Sequence, residues 1–268
     1  MRAMSPAVLV FALSLWGTGR PPSRKAAEAA LVATARKAWV GKAWFLRGFP
    51  HGDEIRFAAD GSPLKRLKPG PWTLADMEIT DVRGAGSELD VFGWRVGLRW
   101  RPKAEKFAGY RLQRIEVRIR LGRNLPGPGA VTQIGKRLFI ATTAALARAV
   151  PRFWRPFVLT DLEHRAAFPV RRAAVRRCRP VRKPRVIYSP NPTPNRWAGQ
   201  AMVAGSAVLR INVTAAGRVG KILVLKPIGM GLDDRAVAAV RSWRFKPASC
   251  RGKPVRWGAD ITVNFHPY

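Results

Sequence analysis

The sequence predicts an α+β protein in which a small N-terminal all-β barrel or sandwich precedes a C-terminal β-β-α-β domain with a three-stranded antiparallel sheet. Two observations carry this prediction. Apolar residues alternate with polar ones over several short segments, which is the period of half-buried strands. One helical pattern interrupts them near the C-terminus, between Gly231 and Trp243. The 268 residues are enough for one or two domains.

The N-terminal alternation is clearest at 94–101 and 114–121, which predicts half-buried antiparallel strands there. Asp60 and Gly61 predict a hairpin turn. Strands at intervals of about ten residues are typical of a small barrel or sandwich, so we assign residues 38–122 to an all-β domain. The exposed arginines on these strands either bind an anion or form an ordinary solvated face. Further short strands are predicted at 72–74, 77–79 and 89–91.

The first 19 residues predict export. The apolar run at 7–16 is too short to cross a bilayer, which needs about 20 residues, and small residues follow it. We therefore interpret residues 1–19 as a signal peptide or a short anchor, and we place the protein in the periplasm or cell envelope. An alanine-rich stretch at 23–39 predicts a short helix.

Two segments connect the predicted domains. Apolar residues at helical spacing predict an amphipathic helix at 130–150, which either touches a membrane surface or covers the open end of the barrel. Residues 164–189 are rich in arginine, lysine and proline, a composition that keeps a linker extended.

The C-terminal domain is assigned to residues 190–268. Alternation at 207–213 and 219–225, with a turn around Gly217, predicts a hairpin. A helix beginning near Gly231 crosses back over it, and a right-handed crossover places the last strand beside the first, antiparallel to it. That last strand, Trp257–Phe265, is then a sheet edge, and its outer row of backbone groups can accept an extended peptide.

Two sets of motifs have a recognisable order and spacing. The C-terminal motifs are Asn191-Pro192-Thr193-Pro194, Gly217-Arg218-Val219, Gly231-Leu232-Asp233, Trp243-Arg244-Phe245-Lys246-Pro247, Gly252-Lys253-Pro254 and Val263-Asn264-Phe265. Over residues 190–266 they resemble the C-terminal domain of TonB-family energy transducers. The N-terminal motifs are Gly41-Lys42, Phe45-Leu46-Arg47-Gly48-Phe49, Gly70-Pro71-Trp72-Thr73 and Arg95-Val96. They resemble a β domain found in TonB-like proteins of soil bacteria.

The resemblance implies a role in energy-coupled transport. It implies that the final strand pairs with an extended, TonB-box-like segment of an outer-membrane transporter, and that inner-membrane motor proteins are further partners. The residues that would form this partner-binding strand are Ile261, Thr262, Val263, Asn264 and Phe265.

A formal net charge of +33 predicts attraction to polyanions. The alternative function is therefore a stationary envelope protein that binds an acidic polymer or an anionic membrane surface through its basic face. Nucleic acid is disfavoured as a partner because no helix-turn-helix, zinc-finger or RNA-recognition signature occurs. The two cysteines, Cys178 and Cys250, either form a disulfide or remain two buried thiols.

No motif in the sequence predicts catalysis. The histidines His51, His164 and His266 are far apart, and no carboxylate or cysteine cluster has metal-ligand spacing. The sequence has no Gly-x-Ser-x-Gly motif and no phosphate-binding glycine loop. We therefore predict a non-catalytic protein without a cofactor or a metal site.

Overall fold

The computed structural model describes residues 23–122, 125–158 and 180–266, and confirms the α+β class. Its helices are α1 (Arg24–Trp39), α2 (Ala130–Leu138), α3 (Thr143–Ala149), α4 (Arg155–Val158), α5 (Arg196–Gln200) and α6 (Leu232–Ser242). Its N-terminal strands are β1 (Ala43–Leu46), β2 (Glu54–Ala58), β3 (Asp76–Ala85), β4 (Glu88–Arg101), β5 (Lys106–Arg120) and β6 (Phe139–Ile140). Its C-terminal strands are β7 (Val181–Arg182), β8 (Arg185–Tyr188), β9 (Gly205–Val213), β10 (Val219–Lys226), β11 (Arg244–Lys246), β12 (Ala248–Cys250), β13 (Lys253–Val255) and β14 (Trp257–Phe265).

The N-terminal region is sheet-rich, and its strands form one six-stranded sheet in the order β2-β5-β4-β3-β1-β6. The expectation of a barrel or sandwich needs a correction in this detail. The sheet has two separate ends, and helices rather than a second sheet cover its apolar face. Leu31 and Ala35 of α1 and Ile134 of α2 are buried in the same core as strand residues such as Val117. The long alternating strands supply that face, and the helices bury it.

Three further segments differ from the predictions. Residues 72–74 form a short 3-10 helix instead of a strand. The helix predicted at 130–150 is divided into α2 and α3, because β6 pairs with β1 between them. Of the predicted linker at 164–189, residues 164–179 lie outside the described residues, whereas 181–188 contain β7 and β8, which pair with β12 and β11.

The C-terminal three-stranded sheet has the predicted order, β10-β9-β14, with both pairings antiparallel. Helix α6 buries Ala236, Val237 and Val240 against it, as their helical spacing predicts. The helix ends at Ser242, before Pro247, whose ring could not be accommodated in a continuing helix.

The N-terminal sheet and the C-terminal part share one hydrophobic core. Residues 228–231, which we call the docking loop, pair with β4 of the N-terminal sheet. The backbone N–H of Met230 donates to the carbonyl of Leu98 at 2.7 Å, and the N–H of Trp100 donates to the carbonyl of Ile228 at 2.8 Å. Apolar residues from both parts, including Trp154 and Leu209, pack in this core.

Candidate functional site

Strand β14 lies at an edge of its sheet. It is nine residues long, and all nine are in register with β9, from Trp257 opposite Val213 to Phe265 opposite Gly205. Among the described strands, β9 is the one that β14 pairs with. The outer backbone row of this strand therefore faces away from the sheet, as the predicted crossover requires.

The side chains of the predicted partner-binding strand alternate between the core and the solvent. Val263 and Phe265 are buried, and Ile261 is partly buried on the same face. Thr262 and Asn264 are exposed on the opposite face, where the Asn264 side chain accepts a hydrogen bond from the Ser206 hydroxyl at 2.7 Å. The buried residues hold β14 in place, while the exposed ones are available to a neighbouring chain.

A groove of about 270 Å³ lies beside the C-terminal half of β14. No β9 residue lines it, so the groove opens on the outer edge of β14, on the side away from the sheet. Its wall and floor bring together residues from three separate parts of the chain. They are Ser189, Asn191, Pro192, Trp243, Thr262, Val263, Asn264, Phe265 and His266.

Two side chains fix the wall of this groove. The indole N–H of Trp243 donates to the carbonyl of Pro190 at 3.2 Å, which ties the wall to the end of α6. Asn195 caps α5 by accepting from the N–H groups of Trp197 and Ala198 at 3.0 and 3.1 Å. Its own amide donates to the carbonyl of Met230 at 2.7 Å. The segment from Pro190 to Asn195, which includes the wall residues Asn191 and Pro192, is thereby joined to the end of α6 and to the docking loop.

The alternating pattern predicts β14 correctly, but no pattern predicts the groove beside it. Ser189, Trp243 and His266 are not assigned to a site by any pattern, because Trp243 fits the apolar stripe of α6 and His266 stands alone. The Asn191-Pro192 dipeptide is part of the motif quoted for the family resemblance. The motifs beginning at Trp243 and Val263 were quoted for the same resemblance, so these motifs together were the signal that could have located the groove.

The arginine rows of the N-terminal sheet are largely paired with acids. Arg56 bonds Glu54 at 2.7 Å, and Arg118 bonds Glu116 at 2.6 Å. Arg111 also donates to the Glu78 carboxylate, at 2.7 Å. The outer face of this sheet therefore carries charges of both signs. The sequence allowed either an anion site or an ordinary solvated face, and the ion pairs favour the solvated face.

Arg95 departs from its predicted position on the solvated side of β4. It is only 3% exposed, and it donates hydrogen bonds to the carbonyls of Pro50, Leu74 and Gly52. Desolvation lowers the pKa of this guanidinium to about 10. Arg95 therefore fixes the loop before β2 to the 3-10 helix, and the alternating pattern could not show this role.

The described C-terminal residues 180–266 contain three acids. Asp233 is fully buried and Asp234 is partly buried. Burial raises the pKa of Asp233 to about 7 and that of Asp234 to about 6. Asp260, the third acid between residues 180 and 266, forms an ion pair with Arg210 at 2.7 Å. The excess positive charge of the described C-terminal residues is therefore presented to solvent without a matching set of acids.

The two acids in the first turn of α6, Asp233 and Asp234, bind groups outside the helix. The carboxylate of Asp233 accepts from the N–H groups of Ile228 and Gly229, at 2.9 and 2.7 Å, and so it holds the docking loop. Asp234 accepts from the indole N–H of Trp154 at 3.2 Å. Both carboxylates thus connect α6 to the surface where the two parts of the protein meet.

The cysteine pairing stays a prediction. Cys250 lies in β12 and is not a free thiol. Cys178 lies outside the described residues. If the two are joined, the bond closes a loop of about 70 residues and contributes about 2–4 kcal/mol in the chain-entropy account.

Neither a metal site nor a spanning helix is found in the described part of the chain. No group of three or more His, Cys, Asp or Glu residues there is placed to hold a metal ion. Every helix within residues 23–122, 125–158 and 180–266 is too short or too polar to cross a bilayer.

Comparison with known proteins assigns the C-terminal part to a family. Residues 196–267 match the family model described as Gram-negative bacterial TonB protein C-terminal. A comparison with curated proteins gives no match. Among solved structures, the chain is similar to the C-terminal domain of TonB from Pseudomonas aeruginosa, determined by solution NMR. The identity is 25%, the alignment covers 31% of this chain and 85% of the other, and the TM-score is 0.27.

Proposed function

Because residues 196–267 form a TonB-family C-terminal domain, we propose that this protein binds an extended segment of an outer-membrane transporter along the open edge of β14. The family match supports a TonB-like role in energy-coupled transport in the Gram-negative envelope. The proposal adds the binding mode, in which the transporter segment becomes a fourth strand beside Ile261, Thr262, Val263, Asn264 and Phe265. It also places the protein in the periplasm, although residues 1–19, the predicted signal peptide, lie outside the described residues.

The observation that carries this proposal is the combination of a long open edge with an adjoining groove. In a strand of nine residues, about half direct their backbone N–H and C=O groups outward. A partner strand beside residues 261–265 meets two or three such residues and forms about four to six main-chain hydrogen bonds with them. Each contributes about 1 kcal/mol net, so after the cost of association the edge alone supports binding only in about the millimolar range. A tighter complex needs side chains of the partner in the groove between Asn191 and Asn264.

The test places a photo-crosslinking amino acid at Thr262, on the exposed face of β14, in cells of the producing bacterium. A matched control carries the same amino acid at Lys226, which is exposed on β10 at the opposite edge of the sheet. Irradiation should join the Thr262 variant to an outer-membrane transporter, identified by mass spectrometry, and should leave the Lys226 variant without that product.

Two results would refute the proposal. One is equal crosslinking of the transporter from both edges, which would mean that β14 is not the preferred edge. The other is a Thr262 product that contains no outer-membrane protein. Correct folding of both variants is checked by thermal unfolding, and neither substitution removes a buried side chain.

A further inference from the structure

The C-terminal part contains a second antiparallel layer besides the β10-β9-β14 sheet. Strands β7 and β8 follow one another in the chain and pair with β12 and β11, which follow one another in the opposite direction. Arg182 lies opposite Ser249, and Arg185 lies opposite Lys246, so the two pairings share one register. Together with β13, which pairs with β12, we call these strands the basic ribbon.

Every charged residue of the basic ribbon and its connections is a lysine or an arginine. Arg182, Lys183 and Arg185 are exposed, and none of them takes part in an ion pair between described residues. The ribbon therefore differs from the N-terminal sheet, in which Arg56, Arg83, Arg111, Arg118 and Arg120 form ion pairs with acids. The full set of basic residues is Arg182, Lys183, Arg185, Arg244, Lys246, Arg251, Lys253 and Arg256.

The same ribbon carries most of the exposed large apolar side chains of the described residues. Val186, Ile187 and Tyr188 are 49%, 69% and 56% exposed, and Met202 is the one other residue in this class. Isolated exposed apolar residues are ordinary, but these three are consecutive. Ile187 lies on one face of β8 and Val186 and Tyr188 on the other, so together they border the edge of β8 that no described strand pairs with, between basic residues.

We propose that the basic ribbon docks by the unpaired edge of β8 on an anionic lipid bilayer surface, so that Ile187 and Tyr188, from the two faces of the strand, enter the headgroup region and the surrounding bases meet lipid phosphates. Each lysine or arginine near such a surface contributes attraction, and shallow burial of apolar side chains adds to it. Tyrosine suits this depth because its ring is apolar and its hydroxyl stays hydrated. The inference concerns other strands than β14 and does not depend on the proposed transporter contact.

Three other occupants fit the ribbon less well. A soluble acidic polymer would match the bases but would leave the apolar side chains in water. A second copy of this chain would bring two positively charged surfaces together. An added peptide strand would find only four residues in β8, bounded by Pro184 and Pro190, so about two residues would offer outward backbone groups.

The test measures cosedimentation of the full chain with vesicles of equal parts phosphatidylglycerol and phosphatidylcholine, and with vesicles of phosphatidylcholine alone. The charge variant is Lys183→Glu with Arg185→Glu. Its control is Lys65→Glu with Arg66→Glu, an equal charge change at exposed residues of the N-terminal region. The apolar variant is Ile187→Ser, and its control is Met202→Ser. Poly-L-glutamate serves as a soluble polyanion without an apolar phase.

The proposal predicts binding to the anionic vesicles and little binding to phosphatidylcholine alone. Loss of the two ribbon charges should weaken vesicle binding on the order of thirtyfold, and their reversal to glutamate should weaken it further, well beyond the effect of the control. Ile187→Ser should weaken it about fivefold and Met202→Ser should not. Poly-L-glutamate binding should be unchanged by Ile187→Ser. Equal effects of the two charge variants, or an Ile187→Ser variant that binds vesicles as the natural chain does, would overturn it.

Discussion

Removal of the Asp233 carboxylate should loosen the contact between the two parts of the protein. This side chain is fully buried and accepts two hydrogen bonds from the docking loop, from the N–H groups of Ile228 and Gly229. The same loop pairs with Leu98 and Trp100 of β4. The loop thus depends on one acid from α6 for its conformation, and the interface depends on the loop.

The magnitude of the Asp233→Ala effect follows from the two buried donors that lose their acceptor. An unsatisfied buried N–H costs about 1–3 kcal/mol, so the free energy of unfolding should fall by about 2–6 kcal/mol. The measurement is urea denaturation of the full chain at pH 7, followed by tryptophan fluorescence. Trp154 lies in the shared core and should report loosening of the interface.

The pH dependence gives an independent check on Asp233. Burial raises its pKa to about 7 in the folded protein, from a value of 3.8 in the unfolded chain. Below pH 3.8 both states are protonated. Between that pH and 7 the unfolded chain loses its proton first, so the stability contributed by the neutral acid is lost as pH rises to about 7. This loss amounts to at most about 4 kcal/mol. Asp233→Asn should remove that part of the slope.

The matched control is Asp260→Ala, which removes an exposed ion pair with Arg210 from the same domain. An exposed pair contributes up to about 1 kcal/mol, so this variant should stay close to the natural chain. If Asp233→Ala were as stable as Asp260→Ala, the docking loop would not depend on the buried carboxylate, and our account of the interface would be wrong.

Two further substitutions test the same interface and the N-terminal loop. Gly229→Ala should destabilise the protein by more than Gly252→Ala in thermal unfolding. Both glycines have positive φ, but only at Gly229 would the added Cβ overlap the carbonyl of Leu98, and equal losses would count against this reason. Arg95→Met should lower the free energy of unfolding in urea by about 3 kcal/mol because three carbonyls lose their donor. Arg120→Met, which removes an exposed ion pair, should lower it by less than about 1 kcal/mol. Similar losses for the two variants would contradict the role of Arg95.

The sheet topology around β14 was predictable from the sequence because each of its elements has a strong local pattern. Alternation over Trp257–Phe265, the turn at Gly217 and the stripe on α6 all agree with one another. The handedness of the crossover then leaves one arrangement of the last strand. Local pattern and tertiary structure coincide here, which is why strand order and edge position followed without coordinates.

The N-terminal sheet was harder to predict because burial there depends on distant residues. The alternating pattern puts Arg95 in solvent, yet in the structure three carbonyls from other segments surround it. Trp72 is apolar enough for a strand, but it belongs to a 3-10 helix and packs edge-to-face against Trp154, 5.2 Å away between ring centroids. No window of sequence around either residue contains these contacts.

The groove and the basic ribbon also depend on long-range pairing. Charge and proline content predict an extended linker up to residue 189, and nothing local shows that β8 will pair with β11. The groove needs Asn191, Trp243 and Asn264 to come together from separate parts of the chain. Composition could predict a basic surface, but only the structure shows that the acids cluster on the N-terminal sheet.

The most direct test of the transporter proposal is hydrogen–deuterium exchange of residues 257–265 in the full chain, with and without the detergent-solubilised transporter recovered by crosslinking. We expect slower amide exchange along β14 in the complex, at the groups that face away from β9, and unchanged exchange along β10. Unchanged exchange along β14 in a saturated complex, or protection confined to β10, would contradict strand addition at this edge.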